Sequence, residues 1–308
     1  MTQTSSAGAS AAPPAPRLVI PLLAILAPVL MWASTFVVTR WAAPSIDPGP
    51  FALIRLIAAS LTLTVLALTM HRGRPPKPSR TALGFAAAFG ALWFGLYTVL
   101  FNWAGHYLDA GTVALVVNFA PLLVGIGAVV FFKEAFSRPL FIGMLVSLSG
   151  IALIGAAGGV GQLAAAGLLL AFGAAVFYAA GMLLQKLVLR ELDPLTTTWL
   201  GCLAGTIALL PFLPATISGF DEISTPTLWA AIYMGIGPSA LGFWFWGYAM
   251  TRFPTGKVAS ASLAVPAVVI VLSLLTLGEV PPPLALIGGA ICLSGVAAAQ
   301  LRHRRAKG

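Results

Sequence analysis

Charge is what this chain lacks. Asp, Glu, Lys and Arg make up 8% of its 308 residues, against about 25% in soluble domains. From 139 to 185, a run of 47 positions, no charged side chain occurs. An unpaired charge at mid-bilayer is costly, so uncharged runs of this length signal membrane spans and exclude a soluble core. Only two cysteines occur, Cys202 and Cys292, both inside apolar runs and in no ligand spacing. They read as small packing residues, which excludes a disulfide framework. The three histidines, His71, His106 and His303, sit at or beyond the ends of apolar runs and cannot form a buried relay. No acidic residue lies in the middle of any span, which argues against proton exchange through a membrane carboxylate. HExxH and phosphate-loop segments are also missing, so no metal, no cofactor and no ATP drive is expected. An enzyme would need His, Asp, Glu or Ser groups clustered at one depth, and the spans offer none.

What remains is apolar. Residues of the AVILMFWYC set are 59% of the chain and the mean hydropathy is +0.98. The apolar runs are continuous and about twenty residues long, where a barrel would alternate over about ten, so they are helices. About ten spans are expected, near 18–40, 50–70, 81–104, 110–132, 139–157, 163–185, 194–216, 225–250, 257–278 and 282–301. Gly and Pro clusters mark most joints: Pro48-Gly49-Pro50, Pro75-Pro76, Gly158-Gly159 and Pro281-Pro282-Pro283. Residues 1–17 read as a disordered cytoplasmic tail, with no secretory leader, and 302–308 as a basic one.

The formal net charge of +9 invites a nucleic-acid partner, but the basic residues sit in short links and form no face. They read as topology signals. One set of connections carries 15 of the 17 basic residues, from Arg17 through the 72–80, 133–138, 186–190 and 252–257 links to Lys307. Arg40 is alone on the other set, and Arg55 lies within a span. Five of the eight acids, Asp47, Asp109, Asp221, Glu222 and Glu279, fall on that poor side. This asymmetry and an even span count both place the two termini in the cytoplasm.

The chain also repeats itself. Shifted by 145, residues 111–154 overlie 256–299 with 12 identities in 44 positions and no gap. Pro121 meets Pro266, Glu134 meets Glu279, Gly143 meets Gly288, and Ser149-Gly150 meets Ser294-Gly295. A shift of 146 pairs Asp47-Pro48 with Asp193-Pro194. Each half, 18–157 and 163–301, then holds five spans. Five is odd, so the second half enters from the opposite side, and inverted repeats of this kind are typical of secondary transporters.

These features resemble the EamA-type members of the drug/metabolite transporter superfamily. The matching pieces are Trp32-Ala-Ser-Thr-Phe36, Phe51-Ala-Leu-Ile-Arg55 and the doubled Pro, Glu, Gly, Ser-Gly spacing. The resemblance covers about residues 20–300. It implies an all-α membrane protein of two inverted five-helix repeats in the bacterial inner membrane. It also implies export of small metabolites, amino acids first, with efflux of hydrophobic or cationic drugs against protons as the alternative. The halves differ: Gly201 stands where Arg55 maps, and Tyr178 where Trp32 maps.

Polar and aromatic residues inside spans are candidates to line a central cavity: Trp32, Ser34, Thr35, Tyr97, Asn102, Asn118, Tyr178, Trp244, Trp246 and Tyr248. Arg55, about one turn inside the second span, either snorkels to the interface or meets a ligand carboxylate. Asp47 and Asp109 are its available acid partners. Pro121 and Pro266 are mid-span hinges or fixed kinks. Glu134 and Glu279 are placed to cap the next helix. The seven-residue spacing of Gly143–Gly150 and Gly288–Gly295 gives faces for packing the fifth span on the tenth, with a homodimer interface as the competing use of a chain otherwise expected to be a monomer. The partners expected are a small-molecule substrate and the lipid bilayer. Uniport is preferred, since no mid-membrane acid is present to carry a proton.

Overall fold

The computed structural model describes residues 19–74, 76–133, 138–157, 162–252 and 264–305. Among these, every regular element is helical. Helices α1 (Val19–Ala42) and α2 (Pro48–Met70) come first. Helix α3 runs from Arg80–Phe89 through a π-helical segment, Gly90–Tyr97, into Thr98–Tyr107. The next span is split into α4 (Ala110–Val117) and α5 (Ala120–Phe132), and α6 (Arg138–Ala157) closes the first half. The second half holds α7 (Gln162–Val188), α8 (Pro194–Ala208) and α9 (Leu213–Ser218). It continues with α10, which runs from Thr225–Met234 through a second π segment, Gly235–Gly242, to Phe243–Arg252. Helices α11 (Val265–Leu277) and α12 (Pro283–Arg305) complete it.

Six helical stretches are long and apolar enough to cross a membrane, or seven if α8 and α9 form one span bent by 43°. Three shorter apolar helices accompany them: Phe141–Ile154, Val265–Leu277 and Pro283–Ala298. The sequence reading expected a span over 194–216. Pro211 breaks it, because Pro has no N–H for the Ile207 carbonyl, and a short 3-10 turn, Leu210–Phe212, fills the gap.

The internal repeat extends to the element boundaries. Arg80–Phe89, Gly90–Tyr97 and Thr98–Tyr107 each recur 145 positions later as Thr225–Met234, Gly235–Gly242 and Phe243–Arg252. Helix α5 recurs as α11 on the same offset. The capping recurs too: Ser79 Oγ accepts from the Ala82 amide at 3.1 Å, and Ser224 Oγ from the Thr227 amide at 3.3 Å. Each cap satisfies one of the orphan donors of a helix start.

Lipid tails give no hydrophobic drive for helix association, so close backbone approach must supply it. The most extensive helix pair is α6 with α12. There Gly150 lies against the Gly288 carbonyl and the Cys292 backbone, Gly295 against the Gly143 carbonyl, and Ser147 Oγ donates to the Cys292 carbonyl at 2.8 Å. The π segments make the second set of close approaches. A Cβ on Gly90 would overlap the Gly201 carbonyl, and one on Gly235 would overlap the Arg55 carbonyl. Arg55 and Gly201 are repeat equivalents, so the two contacts are the same contact made by opposite halves. The halves are exchanged around this seam. Helix α1 packs on α10 and α11 of the second half, and α7 packs on α3 and α5 of the first.

Polar contacts tie the bundle ends. At the end bearing the α2–α3 and α7–α8 links, Glu191 accepts from the Ser79 amide at 2.7 Å and from its hydroxyl at 2.8 Å. Beside it, Asp193 caps α8 through the Leu195 and Thr196 amides and lies 3.4 Å from His71 Nε2. At the other end, Arg40 Nε donates to both Glu279 oxygens at 3.0 and 3.2 Å, and Nη1 donates to the Gly105 carbonyl at 3.2 Å. Glu279 therefore serves as a partner of α1. The sequence reading had it as the cap of α12, but a charged guanidinium outcompetes neutral amides for a half-buried carboxylate. Glu134 lies outside the described residues.

Two outcomes test this packing. Gly235→Val and Gly90→Val are each expected to lower the melting temperature of the purified protein, by an overpacking cost of about 1–3 kcal/mol. Gly84→Ala, inside a helix and with open space around it, should not lower the melting temperature and should raise it slightly. The second concerns Asp193. Burial pushes its carboxyl up, but the Thr196 hydroxyl and amide, His71 and the Leu195 amide together hold it below its ordinary value. A depressed carboxylate stabilises above its unfolded pKa of about 3.9, and this is lost as pH falls through the folded value. Asp193→Ala should cost about 1 kcal/mol at pH 7, read as a lower melting temperature. The gap from the native chain should narrow as pH falls below about 4.

Candidate functional site

A central cavity lies between α1, α2, α3, the α4–α5 break, α7, α10 and α11. Its space outside atoms is about 730 Å³, counting the open mouth. Both halves contribute to the walls, as the exchanged packing requires.

Most of the wall is aromatic. Trp93 is the hub, 4.6 Å from Tyr178 and 5.2 Å from Phe243 between ring centroids, both edge-to-face. Trp32 meets Phe243 at 5.3 Å in the same manner. Tyr97 lies 5.8 Å from Tyr178 and 5.7 Å from Phe101. Edge-to-face pairs hold each ring by its neighbour, so the wall is preorganised. Trp32 is further fixed by a bond from Nε1 to the Pro238 carbonyl, 3.2 Å, inside the π segment of α10. The other π segment carries Trp93, Phe94 and Tyr97 into the same cavity. π turns concentrate at functional positions in helices; here one lines the cavity, and the other holds two lining side chains, Trp32 and Arg55, through Pro238 and Ser239.

The polar lining is sparse: Arg55, Thr35, Thr98 and Asn118. Among the described residues no carboxylate lines the cavity. Arg55 is 6% exposed, so it does not snorkel. Its Nε donates to Ser239 Oγ at 2.8 Å, and its Nη1 is buried without a partner. The acids the sequence offered it are engaged elsewhere or apart. Asp109 caps α4 through the Thr112 amide and hydroxyl, 2.8 and 2.6 Å. Asp47 precedes α2 as its N-cap residue. The cavity thus holds one buried cation with spare donor capacity. Thr35 and Thr98 turn their hydroxyls back to the Trp32 and Trp93 carbonyls, leaving oxygen lone pairs as their remaining capacity.

The fourth span is interrupted at this depth. Asn118 and Phe119 leave the helix, and Pro121 sits in the first turn of α5. Pro is well tolerated in a first turn, where its missing N–H is not needed. Pro121 therefore stands just after a short interruption, Asn118 and Phe119, within the apolar span Ala110–Phe131. Pro266 likewise sits in the first turn of α11, and the segment before it, 253–263, lies outside the described residues.

Arg55, Asn118, Trp32, Thr35, Tyr97, Tyr178 and Pro121 all reach the cavity. Five other candidates do not. Ser34 bonds the Met31 carbonyl and the Tyr233 hydroxyl, both at 2.7 Å, on an outer face of α1. Asn102 is buried and donates to the Pro48 carbonyl at 3.1 Å, bracing the start of α2. Trp244 packs into the α2–α3–α8 core, and Trp246 lies against Trp32 in a tilted pair, 4.8 Å between centroids. Tyr248, half-buried on α10, is likewise off the lining. Conversely, Trp93, Phe94, Thr98, Phe243 and Ser239 were missed. Trp93 and Tyr97 are four apart, which would have put them on one helix face. The repeat offset, carried back from Gly235 to Gly90, would have drawn attention to the same segment.

The sequence profile of the EamA-like transporter family matches this chain twice, over residues 19–156 and 165–299. The chain is 34% identical over 285 residues to a "Probable terminal-alkyne amino-acid exporter" of Streptantibioticus cattleyicolor, covering 92% of this chain and 94% of that protein. It is 26% identical over 279 residues to a "Probable amino-acid metabolite efflux pump" of Salmonella typhimurium, with 87% and 90% covered. One solved crystal structure shares the fold with a TM-score of 0.65 at 21% identity, covering 93% of this chain and 97% of the other. The doubled profile and the full-length relatives place this helical, multi-pass chain in the EamA-like transporter family, and it is a member of that family.

Proposed function

We propose that the chain exports small carboxylate-bearing metabolites of the amino-acid class across the bacterial inner membrane, by uniport and as a monomer. The observation that carries this is Arg55: a buried guanidinium with a spare donor in an aromatic cavity lined, among the described residues, by no carboxylate. An isolated buried cation is costly, so a site that keeps one is set up for an anion to complete it. The printed names of two relatives point to amino acids as well. Counting the three shorter apolar helices and the bent α8–α9 pair as spans gives ten, in two halves of opposite orientation with both termini in the cytoplasm. Alternating access is supported by the polar ties at both ends. Opening one route requires parting Arg40 from Glu279, and opening the other requires parting Glu191 from Ser79 and Asp193 from His71. The lack of a lining carboxylate favours uniport, and the cavity's positive charge disfavours cationic drugs.

The test is efflux of radiolabelled L-amino acids from proteoliposomes. The native chain should release an apolar amino acid down its gradient with no imposed pH difference. Arg55→Ala should reduce the rate by about 10-fold or more, from the loss of a charged hydrogen bond. Flux that appears only under a pH gradient would overturn uniport. Full flux in Arg55→Ala would overturn the carboxylate assignment.

A further inference from the structure

We propose that the break in the fourth span is an ammonium subsite, so that the cavity selects α-amino acids carrying both charges over plain carboxylates. This rests on the carboxylate role of Arg55. A zwitterion brings a positive end, and among the described residues no acid lines the cavity to receive it. The α4–α5 break offers a neutral substitute. Helix α4 is capped at its start by Asp109 and ends at Val117 against the cavity. The C-terminal end of a helix carries partial negative charge and unsatisfied carbonyls. Pro121 accentuates this, because it has no N–H for the Val117 carbonyl, its ordinary partner four residues on. Asn118 completes the set. Its Nδ2 donates to the Ala114 carbonyl at 2.8 Å, which turns the amide so that Oδ1 remains as an acceptor, with one Nδ2 hydrogen besides. Val117, Asn118 and Pro121 line the same cavity as the Arg55 guanidinium, whose Nη1 has no partner. The cavity then has a donor on α2 and acceptors at the α4 end, with aromatic rings in the same lining for an apolar side chain. A helix interrupted in mid-membrane is a known way to present such carbonyls to a charged ligand. An ammonium held by carbonyl and amide oxygens needs no titrating partner.

Binding to the purified full-length protein tests this, read by calorimetry with L-phenylalanine, N-acetyl-L-phenylalanine and 3-phenylpropanoate as probes. The native protein should bind L-phenylalanine at least 10-fold tighter than either analogue. Pro121→Ala restores an N–H to the Val117 carbonyl and should weaken L-phenylalanine by about 10-fold while leaving 3-phenylpropanoate unchanged. Asn118→Ala should act in the same selective sense. Arg55→Ala should weaken L-phenylalanine and 3-phenylpropanoate together. Melting curves establish that each variant is folded. Equal native affinity for L-phenylalanine and 3-phenylpropanoate, or an unchanged preference in both Pro121→Ala and Asn118→Ala, would overturn the ammonium subsite and leave the Arg55 assignment standing. Binding of none of the three probes would overturn both.

Discussion

Everything in this bundle follows from backbone pressed on backbone across the seam between halves. With lipid on the outside, apolar side chains gain little by turning inward, and helices must associate through contact and polar pairing. The chain answers with bare positions. Gly90 lies on Gly201, Gly235 on the Arg55 peptide, and Gly150 and Gly295 on the facing helix. One of these contacts does more than hold the bundle together. By laying α10 on the Arg55 backbone, it brings Ser239 to the guanidinium and removes that charge from lipid and headgroup alike. The seam and the ligand site are therefore one piece of architecture.

The cavity's selectivity follows from what it omits. Aromatic rings give area and a fixed shape, and they are indifferent to the exact side chain. Among the described residues Arg55 is the one cation in the lining. Glu279 serves Arg40, and Asp109 and Asp193 serve helix starts, so none of these three pairs with Arg55. The Arg55 Nη1 is left buried without a partner.

Composition made the solvent and the helices legible, and the Lys and Arg distribution suggested the layout. The repeat was legible in the Pro, Glu and Gly matches and proves to extend over element boundaries. Site membership was harder to read. Seven of the singled-out residues reach the cavity because they are polar or aromatic near mid-span. Ser34 and Trp246 look the same in sequence and face elsewhere, since a helix places neighbours about 100° apart and nothing local says which face is inward. Trp93 and Phe94 went unread because a π turn shifts the phase of α3 partway along. Glu279 was assigned to the nearest helix start, and its partner Arg40 is 239 positions away, beyond any local pattern.

The Arg55–Gly201 pair has a last implication. A duplicated and inverted chain with identical halves would present the same chemistry to either compartment, and loading from the two sides would be equivalent. A single guanidinium on one half, with a bare glycine at the equivalent position of the other, removes that equivalence. Apparent affinities can then differ between the inward and outward faces while the concentration gradient alone sets the net heading of flux. Divergence at one position of the duplication would thus suit an exporter that loads from a concentrated interior and discharges into a dilute exterior.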